Sequence, residues 1–426
     1  MAVLLNELFF PKTDPHTAAI LTAFAFCSTY VLRPLGALIF GWIGDHIGRK
    51  STVIITTMMM SVSCMIMANL PTYAQIGITA AWLVTSCRVI QGISSMSEIL
   101  AAHIYVTEML KAPKQYVAVS LISVASALGS VAALGIAALV TNTNLDWRLA
   151  FWIGAAIAVV GSIARTRLRE TPEFIKAKKQ KRNQLRENKI NQLKGFSNKS
   201  IIEKEIILKK TITAYFLVYC GWPLSFYLSF MYFNPLLKNS YGYSSKEIIL
   251  HNFYLSLLSL AITFFLAIIS YKVNPLKILK IRGTILGIGT VFLPLSIIYS
   301  TSFIHIFCIQ TFILLAALAP IPADSIFIKH FPILRRFTVT SFLYALKSAF
   351  MYILTSFSLV YLNYYFGEWG LWLLMFPIIG GFLWGVRHFE YLENIEKLHV
   401  LEQTVKTANV NYQEDARGDP GFVANL

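Results

Sequence analysis

The sequence predicts an all-α membrane protein with about eleven transmembrane helices, and three observations support that fold class. The 426-residue chain is 56% hydrophobic and only 14% charged, whereas soluble domains carry about 25% charged residues. Its apolar residues form stretches long enough to cross a hydrocarbon core, which takes about 20 residues in a helix. Its basic residues, which give a net charge of +16, collect in alternate loops between those stretches.

Eleven apolar stretches are expected to span the membrane, five before a long polar segment and six after it. The first five cover residues 17–44, 51–70, 75–100, 115–140 and 147–165. The other six cover residues 211–237, 247–271, 281–299, 303–325, 337–362 and 368–387. The predicted domains are an N-terminal bundle over 1–165, a basic linker over 166–210, a C-terminal bundle over 211–388 and a tail over 389–426.

The distribution of charge predicts the orientation of these spans. If the loop at 45–50 is cytoplasmic, 30 of the 37 Lys and Arg residues lie in cytoplasmic segments or at the cytoplasmic ends of spans. Four lie on the opposite side or at the opposite end of a span, and three lie deep within spans. That bias follows the positive-inside rule and places the linker and the C-terminus in the cytoplasm. We therefore interpret the basicity as a topology signal directed at the lipid bilayer, and we expect no nucleic-acid partner.

Enzyme and cofactor signatures are absent from the sequence. It contains no P-loop, no HExxH and no nucleophile elbow. The five cysteines fall within apolar spans, with no CxxC pair and no adjacent histidine, so they predict neither a disulfide nor a metal site. We expect a protein that is not an enzyme and that uses no cofactor.

A short polar turn between the first two spans carries the most specific motif. Its members are Gly41, Asp45, Gly48, Arg49 and Lys50. Further motifs are Arg33-Pro34-Leu35-Gly36, Arg88 to Gly92 followed by Glu98, Asp146-Trp147-Arg148, residues 168–174, and Phe331-Pro332 with Arg335. Together they resemble the metabolite:proton symporter branch of the major facilitator superfamily, which includes proline/betaine transporters.

The resemblance implies two helical bundles that rock about a central site and move a small polar metabolite, such as a proline/betaine-like zwitterion or an organic acid, with protons. No nucleotide-binding domain is present in the sequence, so an ion gradient, expected to be H⁺, would drive transport. A bacterial inner membrane is the implied location. The turn would act as a conformational gate, with Asp45 against the start of the eleventh family helix near Thr338. The chain would lack the first family helix.

One face of the third predicted span carries the leading site residues. Arg88, Gln91, Ser95 and Glu98 fall at helical spacing on a single face. Charges within a span usually face a cavity or a partner. We hypothesise that Glu98 binds the coupling proton and that Arg88 organises the solute site together with Gln91. The alternative is that Arg88 and Glu98 form structural pairs with other helices.

Other residues within or beside the spans have two interpretations each. Tyr227 belongs to an aromatic group with Trp222, Phe226, Phe230 and Phe233, which either receives a quaternary ammonium or packs against helices and lipid. Arg33 and Arg148 are expected to be structural or gating residues. Asp324 and Lys347 are expected to extend toward the cytoplasmic surface.

The second half departs from the family pattern. Residues 271–282 lack the acid and the glycine-spaced basic pair, and Lys329-His330 stands where the family has an acid. These departures and the missing first helix leave a second reading, in which the chain is a diverged or truncated, non-transporting membrane protein of the same fold. The sequence does not name the solute or the oligomeric state.

Overall fold

The computed structural model describes residues 8–9, 30–143, 146–167, 175–176, 178–180, 182–183 and 209–418. Side chains are described for these residues apart from 49, 96–98, 141–143 and 399–418. Residues 17–29 of the first predicted span and most of the predicted linker lie outside this part of the chain. The described residues form helices and connecting turns, with no strand among them.

Five long helices form the described part of the N-terminal half. They are α1 (Arg33–His46), α2 (Arg49–Asn69), α3 (Ile78–Met109), α4 (Lys114–Thr143) and α5 (Arg148–Arg165). A short helix, Tyr73–Ile76, connects α2 to α3. Each long helix coincides with one of the first five predicted spans, although α3 continues nine residues past the predicted end at residue 100.

Six long helices form the C-terminal half. They are α6 (Lys209–Tyr227), α7 (Ser245–Ile269), α8 (Pro275–Ile298), α9 (Phe303–Leu315), α10 (Arg336–Phe366) and α11 (Gly370–Gly418). A π-helical turn, Leu228–Tyr232, continues α6 into a short helix, Asn234–Tyr241. The α11 helix runs without a break through the predicted boundary at residue 388.

The helices have the length and composition of membrane spans. Within the described residues, seven helical segments are long and apolar enough to cross a bilayer, and the last of them, Arg336–Leu398, contains α10 and the first part of α11. The α9 helix is apolar but shorter. The protein is therefore an all-α membrane protein with two helical bundles, as the sequence predicts.

The span predicted over 303–325 is wrong in one respect, because its helix ends at Leu315. Residues 316–323 form an irregular segment before a short helix, Asp324–Lys329. Pro320 and Pro322 disfavour a continuous helix there. The buried Arg282 of α8 donates hydrogen bonds to the carbonyl oxygens of Leu314, Leu315 and Ile321. This guanidinium satisfies backbone groups that would otherwise be buried without partners.

Among the described residues, the two halves meet mainly along two pairs of helices. The α1 helix packs against α10, and α4 packs against α7, while α2 packs within its own half against α3 and α5. A Cβ atom added at Gly41 would lie 2.9 Å from the Cα atom of Thr338. Glycine at this position therefore permits the close approach of α1 to α10.

We call one end of the helical bundles the basic side. It contains the turn at 46–48, the loop at 272–274 and residues 329–335. Here the acids of α11 bind bases of the second half. Lys280 Nζ lies 2.8 Å from Glu390, and Lys329 Nζ lies 2.7 Å from Glu393. His330, Glu393 and Glu396 could together hold a metal ion, but Lys329 also lies 3.1 Å from Glu396 and already supplies a cation to these carboxylates.

Candidate functional site

A cavity of about 400 Å³ lies between the two halves. Its walls come from α3 and α4 on one side, and from α6, α7, α10 and the irregular segment after α9 on the other. The N-terminal half contributes Ile99, His103, Ser123, Ser126, Ala127, Ser130, Ala133 and Leu134. Cavities of roughly 300–1,000 Å³ with a few polar groups are typical of small-molecule sites.

The aromatic face of α6 forms part of this cavity. Trp222, Phe226 and Phe230 line it, and successive rings lie 6.1 and 5.3 Å apart. Phe230 lies in the π-helical turn, a distortion that is frequent at functional sites. Tyr227, by contrast, packs partly buried against the hydrophobic core of the C-terminal half. The aromatic residues that line the cavity are therefore other members of the predicted aromatic group, and Tyr227 is not among them.

Asp324 and Lys347 do not extend to the surface, so that expectation is wrong. Asp324 is 2% exposed and lines the cavity, and Lys347 is 1% exposed. The Tyr219 hydroxyl donates a hydrogen bond of 2.6 Å to Asp324 Oδ1. Asp324 supplies the only carboxylate among the described residues that line the cavity. The break after α9 places it there, because the short helix does not continue the axis of a single span.

His103 was missed by the sequence analysis. It lies on α3, it is 6% exposed, and it lines the cavity opposite the C-terminal half. Within the described part of the chain, its Nε2 atom has no hydrogen-bond partner. A histidine within a transmembrane helix is uncommon and is a signal in the sequence that could have identified it.

The predicted stripe on α3 is not brought to the cavity as a unit. Gln91 Nε2 donates to the sulfur atoms of Met67 and Cys64 on α2, at 3.2 and 3.7 Å. Arg88 interacts electrostatically with Tyr30, which lies just before α1. The side chain of Glu98 lies outside the described side chains. With 3.6 residues per turn, His103 stands about 120° around α3 from Gln91, so the cavity lies beside the predicted face.

The polar turn joins the two halves on the basic side. Asp45 Oδ2 accepts hydrogen bonds from the backbone N–H of Thr338, at 2.9 Å, and from its hydroxyl, at 2.6 Å. Thr338 lies in the first turn of α10, where a carboxylate is favoured by the N–H groups and the helix dipole. The contact that the resemblance implies for Asp45 is present.

The remaining turn residues set the backbone between α1 and α2. Gly48 has φ 148° and ψ 155°, a conformation that glycine adopts readily and other residues do not. Arg49 and Lys50 begin α2, and the side chain of Arg49 lies outside the described ones. Gating by these residues stays a prediction.

A second contact on the basic side was also missed by the sequence analysis. Arg336 Nη1 lies 3.1 Å from Glu108 Oε1, and the two side chains are 8% and 0% exposed. The pair joins α10 of the C-terminal half to the end of α3 in the N-terminal half. A buried ion pair is costly to break when only one partner is removed. With the Asp45 contact, it holds the halves together on the basic side of the cavity.

Arg33 interacts electrostatically with Tyr344 and Lys347 of α10 in the other half, whereas the described contacts of Arg148 lie within its own half. The Arg33 guanidinium lies 3.9 Å from the ring centre of Tyr30. Arg148 donates to the carbonyl of Leu70 at the end of α2 and pairs with Asp146 at 3.6 Å. Arg148 therefore connects the start of α5 to the end of α2.

The family can now be assigned from these features and from known proteins. The sequence model of the Major Facilitator Superfamily matches residues 8–355, which include the N-terminal half, the C-terminal half as far as α10, and the residues that line the cavity. The chain belongs to the major facilitator superfamily. Members of this superfamily are transporters and not enzymes, in agreement with the prediction from sequence.

Curated relatives within the superfamily resemble part of the chain. The proline/betaine transporter of Salmonella typhimurium is 33% identical over 181 residues, which are 41% of this chain and 36% of that protein. The glycine betaine/proline/ectoine/pipecolic acid transporter OusA of Dickeya dadantii is 28% identical over 254 residues, 58% of this chain and 50% of that protein. The chain thus spans between about a third and a half of the length of these two relatives.

Solved structures of the superfamily share the fold over most of the chain. The proton:xylose symporter XylE, with 6-bromo-6-deoxy-D-glucose bound, superposes with a TM-score of 0.70 at 15% identity, covering 92% of this chain and 90% of that one. The human organic anion transporter MFSD10 superposes with a TM-score of 0.61 at 18% identity, covering 89% and 86%. At these identities the likeness establishes the fold alone.

Proposed function

We propose that this protein is a secondary active transporter that moves a small zwitterion of the proline or betaine type together with protons, by alternating access. The observation that carries the proposal is the composition of the cavity between the halves. Three aromatic rings of α6 and the carboxylate of Asp324 face the same space. Aromatic faces attract quaternary ammonium groups, and a carboxylate adds a favourable charge.

The other walls of the cavity suit the polar end of such a solute. Serine and threonine hydroxyls line it from both halves, on α4 and on α7. They are Ser123, Ser126, Ser130, Ser256, Ser259 and Thr263. Ser130, Ser256 and Thr263 donate to backbone carbonyl groups of their own helices. A hydroxyl group has one donor hydrogen, so a solute carboxylate would bind the hydroxyls of Ser123, Ser126 and Ser259. The names of the curated relatives agree with this solute class.

Alternating access requires that the halves separate on one side while they meet on the other. The Asp45–Thr338 and Glu108–Arg336 contacts link the halves on the basic side. We propose that the basic side is cytoplasmic, by the positive-inside rule. The conformation described here is then closed toward the cytoplasm, and these contacts open when the solute is released inside.

Uptake into proteoliposomes tests the proposed function. The purified protein should accumulate radiolabelled proline or glycine betaine when the outside is made more acidic than the inside. For one proton per solute, each pH unit supports about tenfold accumulation, because about 1.4 kcal/mol corresponds to a factor of ten. Absence of accumulation and of exchange for both solutes would contradict the proposal and favour the non-transporting alternative.

Glu98 keeps its sequence-based role as one proton carrier in this proposal, and Arg88 keeps its role in organising the solute site. In a Glu98→Gln variant, gradient-driven accumulation should be lost while solute exchange continues, because exchange needs no net proton movement. Accumulation equal to that of the wild type would remove Glu98 from the coupling role. The control is Glu247→Gln, which changes an acid whose described contacts lie at its own helix start, with Ser244.

A further inference from the structure

A buried set of ionisable groups surrounds Asp324 at the cavity wall. Tyr219, itself 1% exposed, donates to Asp324 Oδ1. Because this oxygen already has a donor from the protein, the second carboxylate oxygen is the position at which a proton would add. A carboxylate with access to a cavity and with one oxygen held in place can gain or lose a proton without a large movement of its own.

Lys347 provides a buried ionisable amine on the same half. Its Nζ atom lies 3.9 Å from the ring centre of Tyr344 and 5.8 Å from that of Tyr219, and it interacts electrostatically with Asp324. A buried cation is costly unless a negative group compensates it. The ionised form of Asp324 therefore stabilises Lys347, and protonation of Asp324 removes that compensation.

His103 faces the same carboxylate from the other half of the protein. It interacts electrostatically with Asp324, and both residues line the cavity. Its buried Nε2 has no hydrogen-bond partner among the described residues. A neutral imidazole nitrogen can accept a hydrogen bond from a carboxylic acid or take its proton.

Further groups face Asp324 from the helices packed around it. They are Tyr215 and Tyr219 of α6, His103 of α3, and Tyr344 and Lys347 of α10. Arg33 and Cys220 interact with Lys347 in turn. Within the described residues no second carboxylate belongs to this set, so a proton bound at this place has Asp324 as its acidic partner.

We propose that Asp324 is a carboxylate whose protonation is coupled to the movement of the two halves, with His103 as its partner across the cavity. One proton enters from the side to which the cavity is open and adds to Asp324 Oδ2, which neutralises the carboxylate. The new O–H can then donate to His103 Nε2 and draw the halves together. Release of that proton on the other side restores the negative charge that interacts with Lys347. This inference rests on the proposed function for its link to solute movement.

The first test compares two acids with the same local geometry. Glu368 Oε2 accepts a 2.6 Å hydrogen bond from Tyr232, as Asp324 does from Tyr219, but Glu368 does not line the cavity. In proteoliposomes, Asp324→Asn should reduce accumulation from about tenfold per pH unit to onefold. Exchange at saturating solute should persist with a raised KM, because the carboxylate also attracts the solute cation. The Glu368→Gln variant should accumulate solute as the wild type does. If Asp324→Asn accumulates solute as the wild type does, the inference is wrong. This holds even if the Glu98→Gln variant has lost proton-driven accumulation.

A second variant separates a proton site from a structural counter-ion. If Asp324 served only to compensate Lys347, the double variant Asp324→Asn with Lys347→Met would recover proton-driven accumulation, because no buried charge is left alone. We expect the double variant to fold and to exchange solute, but not to accumulate it. Recovery of accumulation would overturn the inference.

A third measurement needs no solute and therefore stands apart from the proposed function. Ser126 is exposed to the cavity on α4, and a Ser126→Cys variant can be alkylated there, in a background with the exposed Cys308 replaced by serine. If protonation of Asp324 moves the halves, the alkylation rate, corrected for thiolate fraction with a free thiol standard, should change with pH in this variant. The change should be absent when Asp324→Asn is added and reduced when His103→Gln is added. The same pH profile in all three proteins would overturn the inference, even if uptake is normal.

Discussion

At the scale of single residues, Asp45 shows how one side chain can connect two domains. One carboxylate oxygen accepts both a backbone N–H and a hydroxyl hydrogen bond from Thr338. These donors stand at the start of α10, where the first N–H groups of a helix have no partner within it. Hydrogen bonds to a charged acceptor contribute about 1.5–3 kcal/mol, more than those between neutral groups. The contact therefore stabilises the conformation closed on the basic side.

Substitutions at this contact should lower thermal stability in a fixed order. Asp45→Ala removes both hydrogen bonds and should cost the most, about 2 kcal/mol or more. Asp45→Asn keeps an acceptor but loses the charge, and Thr338→Val removes only the hydroxyl donor. The melting temperature of the detergent-purified protein measures the order. Glu396→Ala, at an exposed ion pair with Lys329, should change it little, and an effect of that control equal to Asp45→Ala would contradict the prediction.

At the scale of helices, the interface between α1 and α10 depends on small residues. Gly41 lies against Thr338, and Gly44 lies against the ring of Phe337, at distances too short for an added Cβ atom. Large side chains at either glycine would force the helices apart. The motif therefore combines two physical requirements, a carboxylate that binds the start of α10 and glycines that let it come close enough to do so.

Gly41→Ala should destabilise the protein by about 1–3 kcal/mol, because the added methyl group meets the backbone of α10. The matched control is Gly129→Ala on α4, where an added Cβ atom has nothing within 4 Å. That control should be neutral or stabilising by up to about 1 kcal/mol, since alanine is the better helix former. The melting temperatures of the two variants test this prediction. Equal melting temperatures would contradict it and show that α1 and α10 can move apart to accommodate the methyl group.

The second half compensates for its departures from the family pattern with residues of another helix. Lys280 and Lys329 stand in segments where the family resemblance leads one to expect acids or a glycine-spaced motif. Their partners are Glu390 and Glu393 of α11. Basic residues stand where the family pattern has acids, and the acids that pair with them lie on α11. The ion pairs still connect neighbouring elements on the basic side. A missing motif in this half is therefore not a missing set of contacts.

At the scale of the whole molecule, the excess of basic residues lies on the same side as the contacts between the two halves. The basic side carries the loops with the excess of Lys and Arg, and the contacts that join the halves lie on that same side. Burial is greatest where helices face each other, and many large apolar side chains are exposed on the outer faces. That distribution suits a protein whose outer surface meets lipid.

The orientation of the molecule can be tested by labelling. In a background with the five native cysteines replaced by alanine, an impermeant maleimide added to intact cells should label Lys246→Cys, which is exposed opposite the basic side. Lys176→Cys, exposed just after α5, should react only after the cells are permeabilised, because positively charged loops are retained in the cytoplasm. Reaction of Lys176→Cys in intact cells would reverse the proposed orientation.

The sequence by itself determined the fold class, the approximate positions of the long helices that the structure describes, and the residues at the polar turn. These features follow from span length, hydropathy and the distribution of Lys and Arg. Each of these is a property of the chain that decides which segments enter the bilayer and in which orientation. The position of Asp45 near Thr338 also followed from sequence, through the family resemblance. These features depend on local composition or on a motif of fixed spacing.

Only the tertiary structure decided which side chains reach the cavity. Asp324 lines the cavity because an irregular segment separates α9 from the short helix that begins at Asp324. His103 lines it because His103 and Gln91 lie on different faces of α3. Helical periodicity identifies which residues share a face but not what that face meets. The partner of each face is set by how helices far apart in sequence pack together, and that packing is not encoded in any single stretch of the chain.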